Sequence, residues 1–167
     1  MGDYNRTTRE CGFEQLRPEL VVAIRKYVQK HRLGHIEAET LMCCETTSEK
    51  KKRGLLATLF GPDRDPVHYT AALVTPSLLL WARSGAKSGT AAMAARLAEI
   101  EVQDYETSPF GQTLADTGLE VFGFLLGAPE RTNAFIGLGS EPAAQRFREV
   151  VKEAAGKARG CRSGGGE

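Results

Sequence analysis

Apolar residues recur along this chain with two different periods. Leu16, Leu20, Ile24, Tyr27, Val28 and His31 follow the spacing that lines one face of a helix. Pro18 stands where a first helical turn tolerates proline, and Lys30-His31-Arg32 followed by Gly34 supplies a cationic last turn and a stop. The spacing predicts an amphipathic helix from about Arg17 to Arg32. From His35 to about Gly139 the texture changes to short apolar segments broken by turn residues. His35–Thr47 alternates, with Ile36, Ala38, Thr40, Met42 and Cys44 on one side. Leu55–Phe60, Val67–Thr75, Ser77–Arg83, Ala91–Ala95, Leu97–Tyr105, Leu119–Leu126 and Arg131–Leu138 complete the set of predicted strands. In Leu97–Tyr105, Ile100 and Val102 are expected inward and Glu99, Glu101 and Gln103 outward.

Turn chemistry separates these segments. Gly61-Pro62-Asp63, Thr75-Pro76-Ser77, Ser84 to Gly89 and Gly127-Ala128-Pro129-Glu130 all read as connections, and Thr107–Thr117 as a long loop. About seven strands follow one another without crossover helices, which implies an antiparallel sheet. A second helix comes last. Ser140 is a candidate cap with Glu141 and Pro142 in the first turn, and Ala143, Phe147, Val150, Val151, Ala154 and Ala158 make one apolar stripe.

Such a curved sheet has an open end where its inner face meets water. Laying the terminal helix over it buries about five apolar side chains, each worth about 1.5–3 kcal/mol when large and fully buried. Phe147 is the expected plug. The predicted fold is α+β and mainly antiparallel: a seven-stranded curved sheet or partly open barrel, a C-terminal helix closing it, and an extra N-terminal helix. The expected organisation is a flexible leader (1–13), the N-terminal helix (14–34), the barrel with its closing helix (35–158) and a flexible tail (159–167).

Composition narrows the function. In 167 residues, 22 Lys+Arg stand against 21 Asp+Glu, a net charge of +1, so no broad basic field is available for nucleic acid. Cys11, Cys43, Cys44 and Cys161 form no CxxC pair and no zinc-finger spacing, and read as free thiols. On a strand, the adjacent Cys43 and Cys44 would face opposite sides. The polar N-terminus has no apolar signal region, and the apolar runs fall short of the ~18 residues that cross a bilayer, so a cytoplasmic location is expected.

The order of segments resembles the pleckstrin-homology-like superfold, in particular its bacterial PH and GRAM-type branch. The resemblance rests on Ala72-Leu73-Val74-Thr75-Pro76-Ser77-Leu78-Leu79-Leu80-Trp81, on Leu97-Ala98-Glu99-Ile100-Glu101-Val102, and on Ala134-Phe135-Ile136-Gly137-Leu138 leading through Gly-Ser-Glu-Pro into the last helix. It covers about residues 35–158. It implies binding through loops at the open end, or a peptide added beside an edge strand or helix.

Lys50-Lys51-Lys52-Arg53 is the sharpest charge feature. In members of that superfold that bind phosphoinositides, the corresponding loop supplies cations to phosphates. A local patch suffices, because screening confines its field to about 8–10 Å. The plainer reading is a solvated loop, since Gly54-Leu55-Leu56-Ala57 continues it without further cations. Trp81 shares a strand face with Leu79 and Arg83; core packing is the simpler role, and a Trp-Arg recognition surface the alternative. His31 and His35 have ligand-like spacing, but Gly34 intervenes and no third ligand is spaced to join them. Gly85–Gly89 (GAKSG) lacks the order of a phosphate loop, and Asp104, Glu106 and Asp116 read as outward charges. No GxSxG elbow or HExxH helix is present. The expectation is a non-catalytic binding or adaptor module without cofactor or metal, recognising a protein, a peptide or an anionic lipid headgroup. The alternatives are an oligomerising structural protein using the Leu20/Ile24/Val28 stripe and, third, a small enzyme.

Overall fold

The computed structural model describes residues 3–51, 64–109, 111 and 116–163. Their order is β1 (Tyr4–Glu10), α1 (Pro18–His31), α2 (Ile36–Glu39), β2 (Met42–Lys50), β3 (Val67–Val74), β4 (Leu78–Gly85), β5 (Gly89–Asp104), β6 (Gly118–Leu125), β7 (Arg131–Gly137) and α3 (Pro142–Ser163). The strands form one antiparallel sheet in sequence order, β1 to β7. It is curled into a half-barrel with α3 in its concavity.

Strand alternation sorts the side chains onto two faces. Met42 and Cys44 of β2, Ala72 and Val74 of β3, and Leu79 and Trp81 of β4 point into the concave face, where Ala144, Phe147, Val151, Ala154 and Ala155 of α3 cover them. Phe147 is fully buried, as its place in the helix stripe predicts. The convex face carries Cys43, Ala71, Leu73 and Leu80, covered by Leu20, Val21 and Ile24 of α1. Of the Leu20/Ile24/Val28 stripe, Leu20 and Ile24 are fully buried in this layer and Val28 packs half-buried against it. Cys43 and Cys44 do lie on opposite faces, and all four cysteines are free.

Several expectations are corrected. Tyr4–Glu10 is not a leader but β1, paired along its whole length with β2, from Tyr4↔Lys50 to Glu10↔Cys44. Its polar side chains hid it: Thr8 Oγ1 bonds Thr46 Oγ1 at 2.8 Å and accepts from Gly139 N at 2.8 Å. The stretch beginning at His35 does not start a strand. Ile36–Glu39 forms the single turn α2, fastened by Thr40 Oγ1 donating to Ile36 O at 2.7 Å, and β2 begins at Met42. Helix α3 begins at Pro142 rather than directly after Ser140 and runs to Ser163, so residues 160–163 of the expected tail are helical, and 164–167 lie outside the described residues. The predicted strand Leu55–Phe60 lies outside the described residues.

Ala91–Ala95 and Leu97–Tyr105 join into the single long strand β5. Its inward residues change phase, from Ala95 and Leu97 to Ile100 and Val102, and the pairing with β6 shifts register between Ala95 and Ile100. Such an irregularity bends a strand, and this one swings the β6–β7 hairpin around α3. The Thr75-Pro76-Ser77 connection is fixed by Thr75 Oγ1, which accepts from Leu78 N at 3.0 Å. At the β4–β5 turn Gly89 takes a φ of 73° that suits glycine.

Candidate functional site

Helix α3 covers only part of the concave face. Along β2 the inward residues pass from Met42 and Cys44 to Thr46, Ser48 and Lys50. Along β3, read backwards, they pass from Val74 and Ala72 to Thr70 and His68, and β4 passes from Trp81 to Arg83. Beyond Trp81 the interior is therefore polar, and β1 adds Tyr4 and Arg6 to it.

The register sets Arg6 directly opposite Ser48, and Ser48 directly opposite His68, a rung of three polar side chains across β1, β2 and β3. All three are shielded from water: the Arg6 side chain is 5% exposed, Ser48 0% and His68 4%. Yet among the described residues Arg6 Nε, Ser48 Oγ and His68 Nδ1 have no hydrogen-bond partner, and nor does Nε1 of Trp81, which is 2% exposed. Buried polar atoms are nearly always partnered, and each orphan costs about 1–3 kcal/mol. Four on one face of one sheet mark a place where stability has been conceded.

The surroundings are cationic. Tyr4 packs edge-on to His68, with ring centroids 4.6 Å apart, and donates its hydroxyl to Asp65 O at 3.0 Å. Arg6 is paired with Asp116 and lies 5.3 Å from the Phe135 ring centroid. Burial, and then the Arg83 guanidinium, pull Arg6 down to about 10, still charged at neutral pH. Burial, then Arg83 and Arg6, push His68 down to about 4, with Asp65 partly offsetting them, so its imidazole is neutral. Arg83 is exposed at the mouth of this region and has no ion-pair partner among the described residues. The Asp65 carboxylate lies within electrostatic reach of Arg83 but makes no ion pair with it. It accepts instead from Ser88 Oγ, from Lys87 N and from Ser88 N in the β4–β5 turn.

Of the residues singled out from sequence, Arg83 belongs to this site and Trp81 forms its floor, so the indole is not an exposed recognition surface. Lys50 and Lys51 stand at the rim, their backbones fixed by Lys50 N donating to Pro66 O at 2.7 Å and Lys51 N to Asp3 O at 2.8 Å. Lys52 and Arg53 lie outside the described residues. Arg6, Ser48 and His68 carried no motif. The signal available for them was alternation of polar residues at every second position, Tyr4-Arg6-Thr8 and Thr46-Ser48-Lys50, which reads equally well as a solvated strand.

The remaining candidates have structural employment. Asp104 pairs with Arg148 and Lys152, and Glu106 with Arg148, so these carboxylates bind α3 to the end of β5. His31 stacks on Tyr27 with centroids 4.2 Å apart, and the described residues contain no metal-binding cluster. No helix among them is long and apolar enough to cross a membrane. A second surface lies on the outside of β6 and β7, where Phe122, Phe124 and Phe135 are exposed and Arg131 sits over the Phe122 ring at 4.6 Å.

Compared with known protein families, curated proteins and solved structures, the chain matches none.

Proposed function

We propose that this protein is a non-catalytic binding module that takes an anionic group of phosphate type at the open end of its half-barrel. The observation that carries the reading is the rung of Arg6 Nε, Ser48 Oγ and His68 Nδ1, buried and without hydrogen-bond partners among the described residues, near Arg83. A phosphoryl group offers acceptor oxygens in several directions. It suits guanidinium donors, a hydroxyl and an imidazole N–H better than water or a single carbonyl would. Nothing in the rung resembles an activated nucleophile: the neutral histidine faces a serine, but no carboxylate among the described residues hydrogen-bonds to it.

The curled seven-stranded sheet with its terminal helix is compatible with the pleckstrin-homology-like superfold, in which ligands enter at an open end edged by basic loops. Lys50 to Arg53 would then supply a second, outer set of cations to an anionic lipid headgroup or to a phosphorylated partner. A peptide laid beside β7 is the other mode of that superfold, and the exposed Phe122, Phe124 and Phe135 favour keeping it as the second reading.

Calorimetric titration with inorganic phosphate, and sedimentation with vesicles with and without a phosphoinositide, test the first reading. Arg83→Glu is expected to weaken phosphate binding by about tenfold or more, the loss of one charge-assisted contact. Charge reversal at Lys50–Arg53 is expected to abolish vesicle binding while sparing free phosphate. If wild type binds neither phosphate nor vesicles, the open end is not an anion site. If reversal of the four loop cations changes no lipid or partner signal, the loop has no part in it.

A further inference from the structure

We infer that Cys11 and Cys43 are a redox-responsive pair, placed to close a cross-strand disulfide when the protein meets a peroxide. The β1–β2 pairing ends at Glu10↔Cys44, and one step further Cys11 N donates to Cys43 O at 3.1 Å, so the two cysteines are direct cross-strand partners. Cα atoms of a hydrogen-bonded antiparallel pair lie about 5.5 Å apart, inside the range of about 4.4–6.8 Å that a disulfide spans. Both side chains point to the convex face and share one apolar cluster with Phe13, Leu16 and Ile36. Strand alternation sends Cys44 to the opposite face, and Cys161 stands exposed on α3.

The two sulfurs are not equivalent. The neighbouring Cys43 thiol, and then the Arg9 guanidinium, hold the Cys11 thiol below the ordinary cysteine value despite partial burial. The closeness of Cys11, and then burial, push Cys43 above it. Cys11 is thus the sulfur that attacks an oxidant first and Cys43 the one that resolves it. A groove of about 440 Å³, lined by Glu10, Cys11, Gly12, Thr40, Leu41 and Cys43 among others, opens on the pair and admits a molecule as small as hydrogen peroxide.

In the first step the Cys11 thiolate attacks one peroxide oxygen. An S–O bond forms, the O–O bond breaks, and the departing hydroxide takes a proton and leaves as water. In the second step Cys43 sulfur attacks Cys11 sulfur. The S–S bond forms, the S–O bond breaks, and the hydroxyl leaves with the Cys43 proton as a second water. Two thiols are oxidised and one peroxide is reduced. The bond closes a loop from residue 11 to residue 43 that contains α1 and α2, and so fastens the helical layer to β1 and β2.

The test treats the full chain with stoichiometric hydrogen peroxide, unfolds it in the presence of an alkylating reagent, and maps the peptides by mass spectrometry. The expected result is a linked Cys11–Cys43 peptide pair that dithiothreitol releases, with Cys44 and Cys161 alkylated. The oxidised protein should also melt at a higher temperature than the reduced one. The link should persist in Cys44→Ser and Cys161→Ser and vanish in Cys11→Ser. Because wild type alone gives the peptide map, a variant that fails to fold leaves the test intact. Full alkylation of Cys11 and Cys43 after peroxide, or a link from either to Cys161 instead, overturns the inference.

Discussion

Ser48 stands directly opposite His68 across β2 and β3, both are buried, and neither Ser48 Oγ nor His68 Nδ1 has a hydrogen-bond partner among the described residues. Two residues back along β2 the same kind of rung is satisfied, with Thr8 and Thr46 bonded hydroxyl to hydroxyl. The contrast separates a polar pair that holds the fold together from one that the proposed anion site would use. Ser48→Ala removes an orphan and creates almost no cavity, so it is expected to raise stability by about 1 kcal/mol while weakening phosphate binding. Thr46→Ala is expected to cost about 1 kcal/mol. Urea denaturation of the two variants, with phosphate titration of the first, checks both. Destabilisation by Ser48→Ala would show that its hydroxyl serves the fold.

His68 makes the stability depend on pH in a defined direction. Its folded value is about 4 against an ordinary 6.5, so the unfolded chain takes up a proton first as pH falls. Stability is therefore fully present above about 6.5, declines between about 6.5 and 4, and gains no further loss from this group below that. After discounting for solvent at the open end, the decline is on the order of 1–2 kcal/mol. Bound phosphate favours the imidazolium, so by linkage phosphate affinity should increase as pH falls through the same window. Urea midpoints measured from pH 7 to pH 4 should show the decline in wild type and a flatter curve in His68→Gln.

The packed half of the molecule was legible in the sequence, and the polar half was not. The stripes of α1 and α3, the β6–β7 hairpin and the opposite orientations of Cys43 and Cys44 all follow from where apolar side chains fall. Even the bend in β5 is written as a phase change, odd at Ala95 and Leu97, even at Ile100 and Val102. What periodicity could not show is a strand whose inward side chains are Tyr4, Arg6 and Thr8. Those residues are inside because hydrogen bonds to Glu141 and Thr46 and an ion pair to Asp116 hold them there, and such partners are distant in sequence. The candidate site was missed for the same reason: its residues look solvated until the register brings three strands together.

Phe147 fills the concavity, in contact with residues drawn from several strands. Phe147→Ala leaves a void that a barrel wall cannot collapse into, and a loss of about 3–5 kcal/mol is expected. That is a large share of the stability of a domain this size. Urea denaturation should show a much lower midpoint, and a cost below about 1 kcal/mol would mean that α3 is not the closing element of the core.

Gly123 occupies the point where the bend in β5 presses against β6. It pairs with Ile100, the first residue after the register shift, and takes a φ of 150°. A Cβ placed there would lie 2.4 Å from the backbone oxygen of Glu99 and 2.9 Å from Cα of Ile100, and neither is a flexible side-chain end that could move aside. Gly123→Ala must therefore either reopen the bend or separate β5 from β6, at a cost of about 2–3 kcal/mol. Gly156, on the exposed side of α3 with open space around it, offers the control: Gly156→Ala should stabilise the protein by about 0.5–1 kcal/mol through better helix propensity. Thermal melts of the two single variants should move in opposite directions. Equal melting temperatures for Gly123→Ala and wild type would mean that the close approach at the bend is not what fixes the curvature of the half-barrel.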